Sequence, residues 1–284
     1  MTSTSRLDTA LVGRGLARSR TQAQALVRDG RVTVDGRVVT RSSTPVHEAQ
    51  EVRVQPADEG SGSSWITQGW VGRGALKLRY AVDQWGPLGL RVEGRRCLDV
   101  GASTGGFTQV LLAHGAAHVV ALDVGHGQLD PRVASDPRVT DLPGTNIRST
   151  TRSTIGGPVD VAVCDVSFIS LQHVLPPLRP LCSDGADVVV LVKPQFELGR
   201  DRLGHDGVVR SVEQREAVLG SVLRTASEHR FAVGGILRSP LVGATGNVEY
   251  LLWLHAAGAG MMDWGLSPEE LAARRRALRQ EEEQ

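Results

Sequence analysis

The sequence predicts an α/β chain in which a small α+β module precedes a doubly wound, mostly parallel sheet. Three observations carry this. From about residue 94, short apolar runs alternate with helical patterns; a glycine-rich turn follows the first of those runs; and an arginine-rich block at residues 6–54 is set apart by a Gly/Ser-rich stretch. Short buried strands separated by helices build parallel sheets, and such sheets take ligands beyond the carboxyl ends of their strands.

The elements follow in chain order. Leu7, Ala10 and Leu11 form one apolar helix face, and Ala23, Leu26 and Val27 form a second, with Ser19 as cap and Gly30 as stop. "RVTVDGRVVT" alternates around Asp35-Gly36, a two-residue hairpin signal. Up to residue 41 there are eight arginines and three acids, whereas the 284-residue chain nearly balances at +1. A phosphate-binding footprint is therefore local, and its candidates are Arg6, Arg14, Arg18, Arg20, Arg28 and Arg31. "PADEGSGSS" reads as a flexible connector. Trp65 and Trp70 follow, expected at an interface or stacked on RNA. The next helix turns Leu78, Ala81, Val82 and Trp85 inward, and Lys77 on it reads by itself as solvated.

In the larger region, "RRCLDV", "AHVVALDV", "VDVAVCDVSF", "ADVVVLVKPQF", "FAVGGILRS" and "NVEYLLWLH" are expected strands. "TQVLLAHG" and "SVEQREAVLGSVLRTASEH" are expected helices. The tail from 259 to 284 is expected to be an added helix begun by Ser267-Pro268, a solvated ornament despite Arg274, Arg275 and Arg276.

Composition excludes several classes. No apolar run reaches the ~18 residues of a membrane span. The opening "MTSTSRLDTA" has no signal-peptide core. Cys97, Cys164 and Cys182 sit in apolar runs and read as buried thiols of a reducing cytoplasm. Neither they nor the eight histidines show metal-ligand spacing, so no metal is expected. Of the 32 basic residues only Lys77 and Lys193 are lysine.

"DVGASTGGF" lacks the Lys-Ser/Thr of a phosphate loop and the spacing of a dinucleotide fingerprint. Gly101, Gly105 and Gly106 still permit a ligand close to the backbone at a helix start. Asp123 ends the next strand 22 residues after Gly101, the spacing of a carboxylate that accepts from ribose hydroxyls. A glycine turn and a ribose acid without a phosphate lysine suit S-adenosylmethionine. The expected cofactor set is Gly101, Ser103, Thr104, Gly105, Gly106, Phe107, Asp123, Val124, Asn146 and Asp165.

"RLD..L...GLARSR..A..L...GRVTVDG" resembles the alpha-L RNA-binding domain, which implies binding to structured RNA. "DVGASTGGFT", "ALDVGHGQL", "CDVSFISL", "LVKPQFELG" and "GNVEYLLWL", in this order, resemble the TlyA family of ribosomal RNA 2'-O-methyltransferases, a branch of the FtsJ-like group. The resemblance implies a Rossmann-like class I methyltransferase fold and a Lys-Asp-Lys-Glu set falling on Lys77, Asp165, Lys193 and Glu249. The expected domains are an alpha-L module at 1–60, a linker at 61–72, an FtsJ-like domain at 73–258 and a helical tail at 259–284. The implied partners are ribosomal RNA or ribosomal subunits, with ribose methylation of a cytidine; the chain itself is expected to be cytoplasmic, without a membrane, and nothing in it demands more than a monomer.

The chemistry explains why lysine stands at these positions. A ribose hydroxyl must lose its proton while oxygen, methyl and sulfur align. Lysine can act as base when buried near a second cation, whereas arginine stays protonated. Lys193 is expected to be the base or hydroxyl-orienting amine, with Lys77 as second cation or phosphate grip. Asp165 is expected to orient Lys193, and Glu249 to hold the ammonium groups or the ribose. One departure stands out: Gln68 in "QGWV" replaces the arginine of the family's linker. The same residues also admit a transfer RNA methyltransferase, a non-catalytic ribosome assembly factor, or the haemolysin label that some relatives carry.

Overall fold

The computed structural model describes residues 4–17, 20–28, 31–54, 69–199, 203, 206–243, 245–258 and 265–283. Arg18, Ser19, Gly30, Trp65 and Gln68 lie outside these residues. The chain divides into two compact units, Met1–Arg73 and Gly74–Gln284.

The first unit runs β1 (Thr4–Arg6), α1 (Leu7–Gly13), α2 (Arg20–Arg28), β2 (Val32–Val34), β3 (Arg37–Val38), β4 (Pro45–His47) and β5 (Val52–Val54). Strands β1 and β4 pair antiparallel, and β3-β2-β5 form a second small sheet. The expected apolar faces meet, with Leu7, Leu11, Ala23, Leu26 and Val27 packing with Val32 and Val46. Asp35 (φ 50°) and Gly36 (φ 78°) both turn left-handed, which the predicted two-residue hairpin requires.

The second unit starts with α3 (Gly74–Trp85), β6 (Arg96–Val100), α4 (Gly106–Ala113), β7 (His118–Leu122), α5 (Pro131–Ala134), β8 (Val139–Leu142) and β9 (Val159–Cys164). It continues with α6 (Leu175–Leu178), β10 (Cys182–Val192), α7 (Pro194–Glu197), α8 (Val212–Glu228), β11 (Phe231–Arg238), β12 (Tyr250–Ala256) and α9 (Pro268–Glu283). Seven strands form one sheet in the order β11-β12-β10-β9-β6-β7-β8. The pairs β6–β7, β7–β8, β6–β9 and β9–β10 are parallel, whereas β12 is antiparallel to both β10 and β11. The chain moves outward from β6 through β7 to β8, then returns to β9 on the other side. The switch point, where such sheets leave a crevice, lies between β6 and β9.

The tail departs from expectation. Helix α9 is no solvated ornament, because Leu278 is buried in the main apolar core. Arg275 and Arg279 pair with Glu216 and Glu213 on α8, and Arg274 Nε donates to the Ile236 carbonyl. Glu282 is the helix's anchor. Its side chain is 3% exposed and lies 2.7 Å from the guanidinium of Arg215, itself buried, and it accepts a hydrogen bond from the Tyr250 hydroxyl. Arg215 also donates to the carbonyls of Val209 and Arg210. Removing one member of a buried ion pair leaves the other's charge uncompensated. Glu282→Ala is therefore expected to cost about 3 kcal/mol in urea unfolding, a larger loss than from any exposed acid of α9.

Candidate active site

The sheet gathers the site at one edge. Gly101 directly follows strand β6, Asp165 follows β9, and Lys193 follows β10. Because β12 runs the other way, it begins at that same edge, and the pairing of Val192 with Tyr250 sets Lys193 and Glu249 at adjoining strand ends. Lys77 arrives from α3 and is 6% exposed, on the same face as buried Leu78 and Ala81. The solvated reading of Lys77 is thereby corrected, since four-residue spacing puts it on the Ala81 row of the packed face.

The four side chains form two ion pairs. Lys77 Nζ pairs with Glu249 Oε2, both nearly fully buried. Lys193 Nζ lies 2.6 Å from Asp165 Oδ1 and donates to Ser167 Oγ at 3.0 Å. The Phe196 ring centroid is 6.0 Å from the same nitrogen. Each lysine thus has its own carboxylate, whereas the sequence suggested Lys77 as a second cation facing Lys193. Gly243 makes room for the first pair, since a Cβ there would stand 2.6 Å from Glu249 Oε1.

Beside these pairs lies a cleft of about 490 Å³ lined by Gly101, Ser103, Asp123, Val124, Asn146 and Asp165 from the expected set, together with Gln128, Ile147, Val166, Ser167, Phe168 and Ile169. Its size falls within the ~300–1,000 Å³ of small-molecule sites. Gly101 is left-handed (φ +84°), and a Cβ there would stand 2.6 Å from the Asp165 carbonyl oxygen. Asp123 accepts the backbone N–H of Ser103 at 2.8 Å and that of Gly125 at 2.7 Å, so it fixes the glycine turn while lining the cleft. Thr104, Gly105, Gly106 and Phe107 are not among the lining residues. Gly105 packs close to Leu129 and Val133, and Phe107 is 3% exposed, turned into the core beside Gly74. The glycine turn, the ribose-type carboxylate and the adjoining pocket fit S-adenosylmethionine. Ser167 and Phe168 escaped the sequence reading, although they directly follow Asp165 at the end of a strand beside the switch point.

Asp99 lies beneath the turn. It is fully buried, accepts from Thr108 Oγ1 at 2.6 Å, and its Oδ1 has no hydrogen-bond partner among the described residues. Burial pushes its carboxyl up to about 7, with Asp165 and Asp123 adding to the rise and the Thr108 bond opposing it. A carboxyl raised in the folded state contributes stability that is complete below its unfolded value, ~4. That contribution is lost as pH rises through about 7. The loss is on the order of 4 kcal/mol across that window. In thermal melts from pH 5 to 9, Asp99→Asn is expected to flatten this decline, because the amide keeps the neutral shape and cannot ionise.

In the first unit, buried Asp8 is a common anchor. It lies 3.0 Å from Arg6 Nε and 3.2 Å from Arg20 Nη2, while both arginines keep their side chains largely exposed. The Arg6 guanidinium, with help from Gln24 and Arg20, holds the Asp8 carboxyl well below the usual carboxylate range against the effect of burial. Arg14 donates to the carbonyls of His47, Glu48 and Gln50, tying α1 to the β4–β5 turn, and Arg31 is buried. Of the other two candidates, Arg18 lies outside the described residues and Arg28 is described by its backbone alone.

Comparison with known proteins agrees with this geometry. The family model described as FtsJ-like methyltransferase matches residues 70–256, and that of the S4 domain matches residues 5–52. The chain is 48% identical over 249 residues to the 16S/23S rRNA (cytidine-2'-O)-methyltransferase TlyA of Mycobacterium tuberculosis, covering 88% of this chain and 89% of the relative. It is 34% identical to Hemolysin A of Brachyspira hyodysenteriae, covering 87% and 98%. A solved Streptococcus thermophilus structure, named as a candidate hemolysin, superposes with a TM-score of 0.69 at 33% identity over the full length of both chains. Among the described residues, no helix is long and apolar enough to cross a membrane.

Proposed function

This chain belongs to the FtsJ-like methyltransferase family, with an S4 domain preceding the methyltransferase unit, and on that premise we propose that it methylates the 2'-hydroxyl of a cytidine in ribosomal RNA, with S-adenosylmethionine as donor. One observation carries the reading. The chain's only two lysines are both buried against carboxylates, one pair at the adjoining ends of β9 and β10, where Asp165 also lines the cleft, and the other between α3 and the start of β12.

The roles follow from the geometry. Bound S-adenosylmethionine supplies a methyl group already activated by a cationic sulfur. Gly101, Ser103, Asp123 and Asn146 line the cleft that holds it, and the Asp123 carboxylate accepts from ribose hydroxyls. Lys193 takes the proton of the attacking 2'-hydroxyl, a positioned general base. Asp165 holds the Lys193 side chain at the strand end and borders the cleft, so it links amine and donor. The Lys77–Glu249 pair fixes α3 against the start of β12 and so walls the site from the other side. Arg6 and Arg20 provide exposed positive charge for RNA phosphates.

The test is acceptor preference. Purified protein is incubated with S-adenosylmethionine labelled in its methyl group and with ribosomal subunits, ribosomal RNA or transfer RNA. Incorporation into ribosomal RNA or subunits is expected; incorporation confined to transfer RNA, or none in any acceptor, would overturn the reading.

A further inference from the structure

We propose that Ser167 is a positioning residue for the reacting amine: its hydroxyl sets the rotation of Lys193 Nζ, so that the position left open on the nitrogen faces the ribose hydroxyl. This rests on the reading of Lys193 as the base.

An amine nitrogen at the end of a lysine has three positions besides its carbon. When it is neutral, two carry N–H groups and one carries the lone pair that accepts a proton. Asp165 is an acceptor alone, and a serine hydroxyl can accept as well as donate. In the structure Nζ stands 2.6 Å from Asp165 Oδ1 and donates to Ser167 Oγ at 3.0 Å. The ion pair with Asp165 sets where the nitrogen sits, and the hydrogen bond to Ser167 claims one N–H, so the remaining positions on the nitrogen are restricted in space. With Asp165 alone, the amine could rotate about its Cε–Nζ bond and point the lone pair away from the substrate. The single contact fixes a distance; the second fixes a direction, which is what proton transfer needs.

The fold holds Ser167 for this purpose. Asp165 N donates to the Val100 carbonyl, which pins the end of β9 beside β6. Phe168 then takes a left-handed conformation, φ 66°, uncommon for a residue with a side chain. Two residues further on, Glu197 of α7 accepts from Ser170 Oγ at 2.5 Å and from Leu171 N at 2.9 Å. Lys193 precedes this short helix and Glu197 is its last residue. The turn that carries Ser167 is thus clamped by the segment that carries Lys193, and serine and lysine are fixed together. Ser167 also lines the cleft.

In the reaction the Lys193 ammonium first gives one proton to solvent; the O–H bond of the ribose then breaks, its proton passes to the neutral Lys193 Nζ, a C–O bond forms, and the methyl–sulfur bond breaks to leave a neutral thioether. Ser167 gains and loses nothing in this sequence and acts through orientation only. Its loss should therefore appear in turnover and not in binding.

The experiment compares Ser167→Ala, Ser167→Thr and Lys193→Arg in the full chain, with kcat, RNA KM and calorimetric cofactor Kd measured for each. Ser167→Ala is expected to lower kcat on the order of tenfold or more with KM and Kd within twofold of the parent. Ser167→Thr, which retains a hydroxyl, is expected to recover most of that loss. A Ser167→Ala enzyme with unchanged kcat would overturn the proposal. So would a loss that appears in Kd, or one that threonine does not relieve. Lys193→Arg separates the two levels. Full activity there overturns the base reading and this proposal with it, whereas loss there beside a wild-type Ser167→Ala overturns only the role of Ser167.

Discussion

Lys193→Arg is expected to lower the rate of methyl transfer by about 10²–10⁴-fold, the usual contribution of a positioned general base. Cofactor affinity should remain within a few-fold, because Lys193 is not among the residues that line the cofactor cleft. The substitution keeps a positive charge beside Asp165, so the 2.6 Å ion pair can be replaced in kind. What it removes is the ability to accept a proton, since a guanidinium stays protonated in proteins and has no acceptor position. Single-turnover rates with saturating ribosomal substrate, alongside calorimetric titration with S-adenosylhomocysteine, separate the two effects. A fold in which any cation suffices here would retain its rate, and that result would remove Lys193 from the chemistry.

Gly101→Ala is expected to lose both cofactor binding and stability. The added Cβ would meet the Asp165 carbonyl oxygen at 2.6 Å, and the backbone there is left-handed at φ +84°. A left-handed residue with a side chain costs ~1–2 kcal/mol, and forcing atoms into a packed contact adds a similar amount, for a total of about 3 kcal/mol. The strain falls between the ends of β6 and β9, the switch point itself. Relief by parting those strand ends would displace Asp165 from Lys193 and open the floor of the cleft. Cofactor affinity should fall at least tenfold, read by calorimetry, with a matching fall in the urea midpoint. Gly89→Ala is the informative contrast. Gly89 is also left-handed (φ +118°), yet it has open space around it, so it isolates backbone strain from collision.

Much of this architecture was legible in the chain, for identifiable reasons. Buried parallel strands such as Val159–Cys164, apolar but for Asp160, are near-continuous apolar runs, and Asp35-Gly36 has a turn chemistry with few alternatives. The lysines stood out because arginine fills every other basic position. Other features were invisible to periodicity. Strand β8 (Val139–Leu142) is a short edge strand reading "VTDL", too polar to signal itself. Apolar pattern carries no direction, so nothing in "NVEYLLWLH" says that β12 runs antiparallel, and that reversal is what brings Glu249 to the site. "CDVSF" read as one continuous strand, yet the strand stops at Cys164, and Ser167 and Phe168 border the cleft. The burial of Glu282 depends on Arg215, 67 positions away, and no local window holds both residues. A tail rich in Glu and Arg therefore looked solvated. Lys77 was misread alone for the same reason, since its carboxylate lies 172 positions further on.

The proposed reaction moves a methyl group to a ribose oxygen of ribosomal RNA, with Lys193 taking the proton. The most direct measurement is mass spectrometry of nucleosides released from ribosomal RNA after incubation with purified chain and S-adenosylmethionine bearing a deuterated methyl group. The expected product is 2'-O-methylcytidine carrying the deuterated methyl on its ribose, formed by the parent protein and absent with Lys193→Arg. Label on the base instead of the ribose, or equal ribose label from the Lys193→Arg protein, would contradict the account.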